Sequence, residues 1–191
     1  ILGSAAASID QVTIANTVET VVADALALIL DPTDAKALQH IATAVFQDRL
    51  RKKLTNSIAF VADESVLPRE SGASAAPMKN AVPFTAPHDS PLRQWVSVEM
   101  GTLFYPYISN VMSQPQKKEG TAIELAGLLV PRGVSLIVGG GYHGKSTLLR
   151  CIAAGICNKI PGDGREFCVT VDEAVTVRAE DGRYVSSCNV S

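Results

Sequence analysis

Residues 139–146 read GGGYHGKS, which fits the pattern G-x-x-x-x-G-K-[ST]. The chemistry of that spacing is phosphate binding. Glycines let the backbone fold tightly, so that successive N–H groups converge on one point. The candidate residues are Gly139, Gly140, Gly141, Tyr142, His143, Gly144, Lys145, Ser146 and Thr147. A helix opening near Lys145 adds its orphan N–H groups and the positive end of its dipole. In this arrangement Lys145 neutralises the β- and γ-phosphates, Ser146 places its hydroxyl on Mg²⁺, and Thr147 reaches the α-phosphate. Tyr142 and His143 take the variable positions, and the reading favours an outward-pointing His143. With glycine at about 7% of residues, the pattern arises by chance in on the order of one percent of chains this long. Its context narrows that further, because an apolar β-branched run precedes it and a leucine-rich helical run follows it.

Such a loop needs a strand to deliver it and a helix to receive it. VSLIVGG (134–140) is read as that strand, joined to an earlier strand, TAIELAG (121–127), by the turn LLVPRG. STLLRCIAAGI (146–156) is read as the helix. Upstream, Ser8 and Gln11 form a capping box ahead of a helix carrying Val12, Ala15, Val18, Val22, Ala25 and Ile29. Asp31 and Pro32 end it and start a second helix, with Leu38, Ile41, Ala42, Val45, Leu50 and Leu54 on one face. Arg49, Arg51, Lys52 and Lys53 crowd its C-terminus. They are read as a solvated helix end, with nucleic-acid contact as the alternative. SIAFVAD is a buried strand and LRQWVSVEM a second one. The proline-rich tract between them has no regular structure, and GTLFYPYISNVMSQPQKKEG is read as irregular. FCVTV, AVTVR and RYVSS are strand candidates, the last two joined by a hairpin at Asp181 and Gly182.

Composition excludes several classes. Of 191 residues, 47% are hydrophobic and 19% charged, a globular balance rather than a disordered one. The net charge of −2 gives no global argument for nucleic acid or an anionic membrane. The four cysteines, Cys151, Cys157, Cys168 and Cys188, show no C-x-x-C spacing, and His40, His88 and His143 lie far apart. Small thiols in a reducing compartment are expected, not a zinc site. No apolar run has the length of a bilayer span, and no signal peptide is visible; the chain begins with Ile1, so a missing leader carries no information.

GLLVPRGVSLIVGGGYHGKSTLLRCIAAGI resembles the ABC-type ATPases. Taken with IPGDGREF, AVTVRAEDGR, AFVADESVLPRESG and AVPFTAP, it resembles more narrowly the predicted ATPases of the ABC class, along nearly the whole chain. The resemblance implies an α/β fold: a partial ABC-type P-loop NTPase core preceded by a helical N-terminal region. Residues 1–91 would be part of an N-terminal domain, and residues 92–191 the first part of the ATPase core. The proline-rich tract becomes framework rather than linker. ATP and Mg²⁺ become the cofactors, and a head-to-tail homodimer around two ATPs the expected assembly. Asp163, Arg165 and Glu166 in PGDGRE, with Arg178 and Glu180 in RAEDGR, fall near the nucleotide or the opposing subunit. Turn chemistry alone also accounts for Asp163 and Glu166, and both readings stay open. The family's links to mitochondrial RNA processing imply RNA or an RNA-processing complex as partner, no membrane, and a mitochondrial matrix or cytoplasmic location.

A P-loop ATPase also uses a Walker B strand ending in Asp and a following Glu. No such run is found, and CVTVDE (168–173) follows the loop too closely to serve. The chain is therefore expected to be an incomplete piece, holding the phosphate grip while the hydrolytic residues lie beyond Ser191. Two rivals remain: a nucleic-acid-binding or assembly module with a structural nucleotide, and an ABC transporter subunit, which the lack of spans opposes.

Overall fold

A computed structural model of the protein describes residues 35–109 and 122–177, together with Val21, Val111, Gln116 and Lys117. The expected first helix apart from Val21, the Asp181–Gly182 hairpin, Arg178, Glu180 and Cys188 lie outside the described residues.

Helix α1 runs Ala35–Lys52. Leu38, Ala42, Phe46 and Leu50 recur every four residues, so one stripe carries all four into the core. Strand β1 (Ser57–Ala62) is apolar from Ile58 to Ala62 because it is covered on both faces and paired on both edges. The others are β2 (Arg93–Glu99), β3 (Gln116–Lys117), β4 (Ala122–Pro131) and β5 (Cys168–Thr170). Among the described residues they form an antiparallel sheet in the order β2-β4-β1-β5, with β3 pairing one end of β4. The sheet thus draws strands from both sides of residue 91. Helix α2 (Gly101–Ser109) packs on α1, and helix α3 (Lys145–Ala154) packs on β5 and β1.

Two apolar cores result. The larger lies between α1, α2 and the sheet, where Phe46 meets Phe167 edge to face with centroids 5.3 Å apart. The smaller joins Val61 and Leu67 to Cys151 and Cys168, with Leu148 and Ile152 of α3 packed against it. The α/β class holds.

Two expectations need correction. GTLFYPYIS was read as irregular, yet it is helix α2 with Pro106 inside it. A proline in a helix interior costs about 3 kcal/mol. Phe104 and Ile108, one turn apart, are both fully buried, and burying two such side chains returns about 1.5–3 kcal/mol each. Burial therefore wins. The second correction concerns VSLIVGG. β4 does not turn at LLVPRG; its residues 127–131 pair with β1, which makes it one ten-residue strand. Residues 134–140 then form no strand, and Val134, Leu136 and Val138 are exposed. A wholly apolar strand needs neighbours on its edges and faces, and no described strand runs beside this one. Residues 174–177 of AVTVR are likewise not in a strand.

Candidate nucleotide site

The loop's backbone supplies what the spacing anticipates. Gly139 has φ 147° and Gly144 φ 78°, values that side-chain-bearing residues rarely adopt. Tyr142, at φ 61°, is the non-glycine residue in the loop that adopts the left-handed form, and its ring stands in solvent. Gly144 is the N-cap of α3 and makes no side-chain cap bond. Its carbonyl accepts the first helical bond from Leu148 N–H at 2.9 Å, while the first-turn amides lack the capping oxygen that Ser, Asp or Asn would give. The Lys145 ammonium folds back to donate to the Gly140 carbonyl, which holds its charge over the turn. The His143 ring is exposed but lies across Gly140, 3.1 Å from where a Cβ would stand there. The uncapped first-turn amides of α3 and the Lys145 ammonium are donors of the kind a phosphate chain accepts. The Ser146 hydroxyl is the residue suited to a hard cation.

The far end of α3 is fixed by contacts the sequence did not announce. The Gly155 carbonyl accepts from Thr170 N–H at 3.0 Å, and the Thr170 hydroxyl donates to Ile152 O at 2.6 Å. A Cβ on Gly155 would stand 2.6 Å from the Thr170 hydroxyl oxygen. Gly155→Ala is therefore expected to push α3 off β5 at a cost of about 1–3 kcal/mol, measured as a lowered urea midpoint; an unchanged midpoint would show that β5 has room to retreat.

Arg51 closes the joint. Its side chain is 10% exposed. Nε donates to Thr170 O at 2.9 Å, and Nη2 to Ile156 O at 3.1 Å, Gly155 O at 3.3 Å and Asn158 Oδ1 at 2.9 Å. Lys159 Nζ donates to Ala154 O at 2.6 Å. Two cations thus sit on the carbonyl end of α3, where its dipole favours them. The buried Gln47 amide both donates to Lys159 O and accepts from Lys159 N–H, at 2.8 and 2.7 Å. The basic cluster is therefore partly an internal tie, and Arg49 joins it by donating to Glu99 O at 2.6 Å.

Asp163, Arg165 and Glu166 are brought together, but against the proline-rich tract. Arg69 holds the Asp163 carboxylate at 2.5 Å and also donates to its backbone carbonyl. Arg165 donates to Leu67 O through Nε at 2.9 Å and again through Nη2. Burial pulls this guanidinium below its ordinary value. Glu166 accepts from Gly162 N–H, and Val66 N–H donates to Gly164 O at 2.7 Å. Among the described residues no hydrogen bond links these three side chains to residues 139–147. PGDGRE and SVLPRES are two halves of one clamp, and they wall part of a cleft of about 440 Å³ that also takes in Glu64, His88, Arg93 and Trp95.

The family model ABC_ATPase, described as P-loop domain, matches residues 33–101 and 110–191. The chain belongs to the ABC_ATPase family. The ABC_ATPase P-loop domain is a nucleotide-binding domain of the ATPase class, and the match spans both the glycine loop and the proline-rich clamp. A comparison with curated proteins found no match. Among the described residues no helix is long and apolar enough to cross a membrane. The Arg51 joint was missed because its signal, three basic residues in the last helical turn, also describes a solvated helix end.

Proposed function

We propose that residues 139–147 grip the triphosphate of ATP together with Mg²⁺, as the binding half of an ABC-class ATPase acting on RNA or an RNA-processing complex. The single observation that carries the nucleotide reading is Lys145 held over a glycine turn at the uncapped start of α3. In this reading the loop amides and the Lys145 ammonium bind and orient the phosphates, and the Ser146 hydroxyl holds the metal. Mg²⁺ supplies neutralisation of the β- and γ-phosphate charge. None of the described residues is assigned the activation of water.

Titration with a fluorescent ATP analogue is the test. Lys145→Ala is expected to weaken binding at least 100-fold while the far-ultraviolet circular dichroism stays unchanged, and omission of Mg²⁺ to weaken it about tenfold. Affinity for Lys145→Ala within threefold of the parent would sink the reading. The RNA part, and the homodimer that goes with it, are supported by the sequence resemblance alone. RNA binding whose salt slope ignores ATP would favour an assembly module with a structural nucleotide instead.

A further inference from the structure

Cys151 lies on the buried face of α3 and Cys168 opens β5; they are 1% and 3% exposed. The two elements are stitched together beside them by the Thr170 bonds to Ile152 and Gly155. Cys168 and Thr170 share one face of the strand, the face that meets α3. Both side chains pack into the same small core with Val61 and Leu67, on two elements held side by side. The nucleotide reading uses neither.

Their surroundings set them apart. The neighbouring Cys168 thiol lowers the Cys151 thiol, and Arg165, Arg69 and Lys159 pull it the same way against the opposing effect of burial. Cys151 and burial push Cys168 well up. Cys151 is thus the better nucleophile, and Cys168 is the partner that keeps its proton.

We propose that Cys151 and Cys168 form an intramolecular disulfide on exposure to a hydroperoxide, and that this bond weakens the grip of the phosphate loop. The first half is independent of the proposed function; the second rests on it. The Cys151 thiolate attacks a peroxide oxygen, the O–O bond breaks, and the leaving hydroxide takes up a proton and departs as water. Cys168 then gives up its proton and attacks the Cys151 sulfenic sulfur; the S–O bond breaks and a second water leaves. Two thiols lose two electrons and two protons, and one H₂O₂ becomes two waters.

The mechanical effect follows from the packing. Thiols packed as neighbours without a bond must draw closer to reach an S–S bond of about 2.05 Å. The C-terminal end of α3 cannot absorb that motion, because Gly155 already sits against Thr170 and Arg51 holds the neighbouring carbonyls. The shift passes to the other end, where Gly144 and Lys145 open the helix. Because both thiols are buried, reaction proceeds through local opening and the product builds up slowly. Linkage is reciprocal, so saturating Mg-ATP makes the disulfide easier to reduce at equilibrium.

The test uses the full chain with Cys157→Ser and Cys188→Ser, treated with H₂O₂. Peptide mapping without reductant reads the cross-link, and Mg-ATP titration reads the grip before oxidation, after it, and after dithiothreitol. The expected result is a 151–168 linked peptide, affinity at least tenfold weaker, and recovery on reduction. Cys168→Ala is expected to give no link and no peroxide effect on affinity; should it fold poorly, Cys168→Val serves. Absence of the linked peptide overturns the site. A linked peptide with affinity within twofold of the reduced protein overturns the coupling. Linkage in a chain that binds no ATP even when reduced upholds the disulfide and overturns the nucleotide reading.

Discussion

Arg51→Ala is expected to lower the stability of the folded chain by about 3 kcal/mol, and Arg51→Lys to keep less than half of what is lost. Hydrogen bonds to a charged group contribute about 1.5–3 kcal/mol each. The guanidinium supplies three backbone carbonyls, at Gly155, Ile156 and Thr170. Water replaces part of this in the alanine variant, which holds the estimate well under the sum. The ion pairs to Asp48 and Asp172 add little, since those carboxylates are 55% and 75% exposed. Lysine keeps the charge, but one ammonium cannot span carbonyls on two elements as the planar fork does. Urea unfolding checks both variants. A loss under about 1 kcal/mol for alanine would return Arg51 to the solvated helix end that the sequence suggested.

Phe104→Ala is expected to cost about 3–5 kcal/mol, while Pro106→Ala, two residues along the same helix, is expected to raise stability by about 2 kcal/mol. Phe104 is fully buried among Leu38, Phe46 and Ile108 of the larger core. Removing it takes away the burial that holds a proline-containing segment in helical form. Alanine at 106 restores a backbone donor and removes the ring clash, and the looser unfolded chain takes back only about 0.4–1 kcal/mol of that gain. The contrast separates the two accounts of α2. Had the segment been helical by propensity, relieving the proline would help more than losing the phenylalanine hurts. Chemical denaturation of both variants, with helix content from circular dichroism, decides it.

What the sequence disclosed tracks how local each signal is. The phosphate loop was legible because its geometry is set within eight residues by glycines and one lysine. The α1 stripe and β1 were legible because their periodicities are carried by contiguous residues. VSLIV misled because its composition records a need for neighbours, not their presence. α2 was hidden because Pro106 is a local signal and the burial of Phe104 is not. The clamp between PGDGRE and SVLPRES rests on Arg69–Asp163 and on Arg165 reaching Leu67, pairs 94 and 98 residues apart, and no spacing rule could join them.

Gln47 reads both backbone groups of Lys159, much as a neighbouring strand would. Together with Arg51 it makes α1 and the tail of the loop helix one rigid piece at one end only. Under the proposed nucleotide reading, the phosphate loop opens one end of α3 and the other end is bonded to α1 through Arg51, so α1 is the element in line to feel what happens at Lys145.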